Sequence, residues 1–193
     1  MSAVPKETYI SPQDYLARER LAKHKSEYYQ GEIFAMAGAS FEHNEITANL
    51  LYLLKTLLKG KSCRPYPSDL RIHIPERDFY TYPDVSVLCG EPEFTDDIFD
   101  TITNPVVIVE VLSESTADYD RGAKFRFYQQ IRTLQHYILV SSWECYVEVF
   151  TRKKQNLWEL QVYQDMNESC LISYLDIALP LQEIYENVKW IKK

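Results

Sequence analysis

Two short apolar runs constrain this chain more than any other feature, because each is interrupted by one carboxylate. They are Tyr82-Pro83-Asp84-Val85-Ser86-Val87-Leu88 and Val106-Val107-Ile108-Val109-Glu110-Val111-Leu112. Both are rich in β-branched and leucyl residues and bounded by Pro, Gly and Asn, which predicts two strands. A carboxylate buried in a strand costs several kcal/mol unless a cation, an ion pair or several hydrogen bonds offset it. Asp84 and Glu110 on neighbouring strands therefore call for a common partner. That partner is either a shared metal ion or a buried ion pair, with Lys124 of the following Asp120 to Tyr128 segment or with an arginine.

The length of 193 residues and 46% hydrophobic content allow one compact domain spanning 1–193, with no shift in composition to mark a second. The formal charge of −7 argues against global attraction to nucleic acid. Basic clusters at Arg18, Arg20, Lys23 and Lys25, at Arg121, Lys124 and Arg126 and at Arg152, Lys153 and Lys154 are local exceptions, each taken singly reading as a solvated face. Cys63, Cys89, Cys145 and Cys170 show no zinc-ligand or redox spacing, and Met1 to Lys6 lacks a leader pattern. Four free thiols and a cytoplasmic location are expected. No apolar run approaches the roughly 20 residues that span a bilayer.

Ser11-Pro12-Gln13-Asp14 starts a helix running to about Ala22. Gln30-Gly31 hinges a hairpin between Glu27-Tyr28-Tyr29 and Glu32 to Met36. Ile46, Leu50, Leu53, Leu54, Leu57 and Leu58 recur at three- and four-residue steps between Ser40 and Gly60, predicting an amphipathic helix capped by Ser40. His43 near its start either orients a phosphate or a water, or is a surface or capping group; Glu45 reads as a charge suited to the helix macrodipole. Asp69 to Ile74 alternates as a half-buried strand with Arg71 and His73 on its polar face. Glu91 to Asp100 reads as a solvated acidic loop. Asp118 or Asp120 is expected to cap a helix ending near Arg132, with Lys124, Phe127, Tyr128 and Ile131 on its inner face. Tyr137 to Val140 forms a buried strand, and Tyr146 to Phe150 pairs with Leu157 to Tyr163 as a hairpin.

Pro83-Asp84, then Glu110 on a strand, then a lysine on the next element, resembles the PD-(D/E)xK nuclease superfamily, and the order of elements from Ser40 to Val140 is similar to its core. Tyr82-Pro83-Asp84-Val85, Val109-Glu110-Val111-Leu112-Ser113, the Asp120 to Tyr128 helix and Tyr137-Ile138-Leu139-Val140 resemble more closely a bacterial family that carries the restriction-endonuclease name. One departure stands out: the superfamily's lysine belongs two residues after the acid, where this chain has Leu112. In the closer family the lysine is displaced to the next helix, here Lys124.

The resemblance implies an α/β (α+β) fold, a mixed sheet flanked by helices with additional β-hairpins. It implies Mg²⁺ or Mn²⁺ held by Asp84, Glu110 and the Val111 backbone carbonyl, with Glu27 or His43 completing the shell, and Lys124 positioning water or neutralising charge on phosphate. The expected activity is metal-dependent hydrolysis of DNA by a soluble homodimer. Leu112 and the acidic charge motivate a different class, a catalytically decayed fold that binds nucleic acid or protein, and RNA or a nucleotide is an alternative substrate.

Overall fold

The computed structural model describes residues 9–190; Met1 to Lys6, noted above for the lack of a leader pattern, lies outside them. Helix α1 (Pro12–Glu19) begins where Ser11 accepts the Asp14 backbone N–H. Strands β1 (Ser26–Tyr29) and β2 (Glu32–Ala35) form the expected hairpin. Its turn needs positive φ at both central residues: Gln30 lies at 48° and Gly31 at 98°, and a side chain at Gly31 would run into the Tyr9 ring. Helix α2 (Phe41–Leu57) follows its Ser40 cap.

Next come β3 (Cys63–Pro67), β4 (Arg71–Ile74), β5 (Phe79–Thr81), β6 (Val85–Cys89), β7 (Thr101–Ile102) and β8 (Val107–Leu112). A helical segment then runs through three contiguous pieces: α3 (Ala117–Tyr119), a π-helical turn (Asp120–Lys124) and α4 (Phe125–Tyr128). It leads into β9 (His136–Ser141), β10 (Val147–Lys154), β11 (Leu157–Tyr163), β12 (Ser169–Ile172), β13 (Ile177–Pro180) and α5 (Leu181–Ile184).

The strands form a five-stranded sheet, β2-β1-β5-β4-β7, a six-stranded sheet, β11-β10-β9-β8-β6-β3, and the β12-β13 pair. The larger sheet is mixed: β8 and β9 are parallel, joined by the helical crossover, and its other pairs are antiparallel. This is the mixed, helix-flanked α+β architecture that the sequence predicts. Alternation along β8 divides the interior. Val107, Val109 and Val111 face a core shared with Ile46, Leu50 and Leu54 of α2; Ile108 and Leu112 face one shared with Phe79, Tyr128, Tyr137 and Leu139. Glu110 has the parity of the second set.

Four expectations need correction. The strand expected from Tyr82 starts only at Val85: β5 ends at Thr81 in the smaller sheet, and the chain passes to the larger one through Tyr82-Pro83-Asp84. Pro83 has no N–H to offer a ladder, so the break falls there. The helix expected to end near Arg132 stops at Tyr128, and the chain turns from there toward β9. Cys63 and Cys89 are not free: they face each other across β3 and β6 and are joined by a disulfide, a register that a separation of 26 residues does not reveal. Cys145 and Cys170 carry free thiols.

Finally, Arg71 is buried, at 3% exposure, not on a polar face. Its guanidinium donates to Thr101 and Tyr82 at 2.9 and 2.7 Å and lies 2.9 Å from Asp100. Asp100 and Asp96 also pair with Arg20 of the α1 end, so the acidic loop is tied down by two arginines. Among the described residues no helix is long and apolar enough to cross a membrane.

Hydrogen bonding from Arg20 holds the Asp100 carboxyl well below its ordinary range, so its contribution to stability is present above about pH 4 and is lost as the pH falls through its folded value. Asp100→Ala is expected to lower unfolding free energy by about 1–2 kcal/mol at pH 7, a figure kept modest because the carboxylate is partly exposed. The difference from the native protein should shrink toward pH 2, read by urea unfolding across that range.

Candidate active site

The Val85↔Val109 register of β6 and β8, continued by one step, sets Asp84 opposite Glu110. Asp84 sits at the crossing between the sheets, where its Oδ2 accepts the Val111 backbone N–H at 2.7 Å. The same oxygen lies 3.2 Å from Nε2 of His43, which the first turn of α2 presents to it. Burial alone would lower the His43 pKa. Asp84, and after it a hydrogen bond to the Val111 backbone carbonyl, raise it above the usual 6.5 instead. The His43 ring thus bridges two of the groups the sequence nominates as metal ligands.

Glu110 is 4% exposed in the middle of β8. Its Oε1 accepts from the Tyr128 hydroxyl at 2.7 Å and from the Lys124 ammonium at 2.9 Å. Lys124, 6% exposed, also lies 3.4 Å from Glu27 and 3.5 Å from Asp120. Glu27 is held in turn by the hydroxyls of Thr81, through a short hydrogen bond, and of Tyr119 at 3.3 Å. Burial pushes the Glu110 carboxyl up to about 8 against the pull of Lys124, with Asp120 and Asp84 adding to the rise. Burial would drag the ammonium down, but Glu110, Glu27 and Asp120 outweigh it and keep Lys124 charged.

All the nominated side chains therefore fall into one connected set, with Asp84 and His43 on its more open side and Glu27, Glu110 and Lys124 inside. Sequence reasoning passed over Asp120, taken above for a helix cap. It is buried inside the π-helical turn, where its carboxylate accepts from the Thr116 side chain and faces Lys124. Its four-residue spacing from Lys124 was the available signal. Tyr119 and Tyr128 were also missed as polar partners; nothing in a tyrosine's spacing separates a hydroxyl that holds a carboxylate from a ring that packs.

The donor set fits a hard divalent cation. Asp84, Glu110 and the Val111 carbonyl offer oxygen only, the ligand type of Mg²⁺, which binds through one or two carboxylates and keeps its remaining waters. Among the described residues no three His, Cys, Asp or Glu side chains form a complete cage. In the same cluster the carboxyl groups of Asp84, Glu110, Glu27 and Asp120 outnumber the basic side chains of Lys124 and His43.

From residue 12 to residue 182 the chain matches the Uma2 family, described as "Putative restriction endonuclease". The chain belongs to this family. Two Synechocystis sp. relatives, the uncharacterized proteins sll1609 and slr1290, are 39% and 41% identical to it. The first alignment covers 92% of this chain and 100% of the relative, the second 80% of each. A crystal structure from Anabaena variabilis, described as a putative nuclease belonging to DUF820, superposes with a TM-score of 0.69 at 18% identity, covering 85% of this chain and 91% of that one. That likeness shows a common fold. In this Uma2 chain Leu112 belongs to the apolar core packed under the helix, and the ammonium beside Glu110 comes from Lys124.

Lys124→Ala leaves Glu27, Glu110 and Asp120 without their shared cation. Breaking a buried ion pair from one side costs about 3–5 kcal/mol, and urea unfolding should show a loss of that order. The double variant Lys124→Met with Glu110→Gln is expected to be less destabilised than the sum of those two single variants, because each removes the partner the other leaves stranded.

Proposed function

We propose that this Uma2 protein is a metal-dependent DNA endonuclease. The observation that carries the reading is the Lys124 ammonium 2.9 Å from Glu110, delivered by a helix to the acid whose own strand supplies only Leu112. Such an arrangement supplies the acid and lysine of a PD-(D/E)xK site from separate elements, and the Anabaena variabilis protein of the same fold carries the nuclease description.

Asp84, Glu110 and the Val111 carbonyl would hold Mg²⁺ or Mn²⁺. The ion supplies Lewis acidity, stabilising negative charge on the phosphate and lowering the pKa of water. Lys124 then places a fixed positive charge beside Glu110, where charge grows on the phosphate oxygens in the transition state. Glu27 and Asp120 hold that ammonium in position, and Tyr128 fixes the Glu110 oxygen it contacts. His43, whose Nε2 lies 3.2 Å from Asp84 at the open side of the set, would orient a phosphate or a water there. Cutting both strands of a duplex calls for two such sites, and a homodimer is part of the proposal.

Supercoiled plasmid incubated with Mg²⁺ or Mn²⁺ tests the reading. The native protein is expected to nick it, and Asp84→Ala and Glu110→Ala to lose both nicking and calorimetric binding of the ion. Lys124→Ala, assayed well below its unfolding transition, should lose turnover by on the order of 10²-fold while still binding the ion. Lys124→Arg should be impaired as well, because a planar fork does not fit where three carboxylates surround a point charge. An intact native protein that binds no divalent ion and nicks nothing would favour the decayed, binding-only alternative.

A further inference from the structure

The helical crossover has two faces. Its inner face carries Asp120, Lys124 and Tyr128 into the candidate site, and its outer face is basic. From Arg121 to Gln135 the sequence RGAKFRFYQQIRTLQ contains no acid, in a chain of formal charge −7. Arg126 and Arg132 are exposed on this stretch and make no ion pair among the described residues. One turn beyond Arg126 the segment enters an open cleft of about 780 Å³. Arg132, Lys153 and Lys154 line it together with the amides of Gln129, Gln130 and Asn156, and Glu76 is its one acid.

The cleft is built rather than incidental. Arg152 donates to the carbonyls of Leu134, Gln129, Ile131 and Gln155 and stacks 4.5 Å from the Trp158 ring centroid. That guanidinium is spent on fixing the hairpin against the helix end. The cations beside it remain directed to solvent: Lys154 has no ion-pair partner among the described residues, and Lys153 meets only the exposed Glu159.

We infer that this face, from Arg126 through Arg132 to Lys154, is the seat of the DNA sugar-phosphate backbone flanking the cleaved bond. The inference rests on the nuclease reading only for where the cut falls. Phosphate is the ligand that a row of unpaired cations and amide donors recognises, without regard to sequence. The formal charge of −7 gives the chain no general attraction for the polymer, so binding depends on a local basic face.

The test is fluorescence anisotropy of the full chain with a labelled 20-base-pair duplex in Ca²⁺, over a series of salt concentrations. The triple variant Arg126→Ala, Arg132→Ala, Lys154→Ala removes three exposed side chains and leaves the site untouched. Affinity is expected to fall by about 10²-fold, and the slope of log K against log salt to flatten by about 2–3, one phosphate contact for each cation lost. Lys55→Ala with Lys59→Ala, on α2 and the turn after it, is the control and should bind as the native chain does. Native-like affinity and slope in the triple variant, equal weakening in the control, or no binding by the native protein would each overturn the assignment. If the triple variant weakens binding while the native protein cleaves nothing, the nuclease reading fails and the docking face stands.

Discussion

A single buried ammonium holds this structure's parts in their relative places. Lys124 reaches from the crossover helix to Glu110 in the six-stranded sheet and to Glu27 in the five-stranded one, and meets Asp120 on its own helix. Apolar packing brings these three elements together but does not specify their register; Tyr128, Tyr137 and Leu139 tolerate small slides. A charge without water does not. Moving Lys124 by even a few ångströms strands three carboxylates in a medium where an unpaired charge is penalised by several kcal/mol. The polar cluster therefore acts as a registry pin for the layers around it.

The helix that carries the pin is irregular. Between Asp120 and Lys124 it winds as a π turn, bonding five residues apart instead of four. Asp120, Lys124 and Tyr128, four residues apart, still point to the sheets together. Arg126, two residues from each of the last two, stands on the outside. Charge is thus sorted across one helix: a cation for the interior on one side and cations for solvent on the other, in a protein whose total balance is acidic.

Much of the fold was legible because its signals are local. The Ser40 cap, the leucine periodicity of α2, the Gln30-Gly31 turn and the strands around Val109 and Ile138 each depend on neighbours a few residues away. What stayed hidden depends on which sheet a strand joins. Nothing within Phe79 to Leu88 states that its halves belong to different sheets, though Pro83 marks where a division is tolerable. The Cys63 and Cys89 pairing, the burial of Arg71 and the capture of Asp96 and Asp100 are long-range in the same sense. In the site, a carboxylate amid valines announced itself by cost. Asp120 did not, because near a helix start an aspartate already has an ordinary explanation.

The two halves of the site are mounted differently. Asp84 and Glu110 are fastened to the ladder of the large sheet, whose hydrogen bonds run without a break from β6 through β9. Lys124 hangs from the one turn of helix that departs from α geometry, in a crossover whose regular pieces are only three and four residues long. Short, irregular helical segments open at lower free energy than core strands. Under the proposed function, warming would therefore free the lysine while the carboxylates still face each other, and nicking would be lost before the sheet melts.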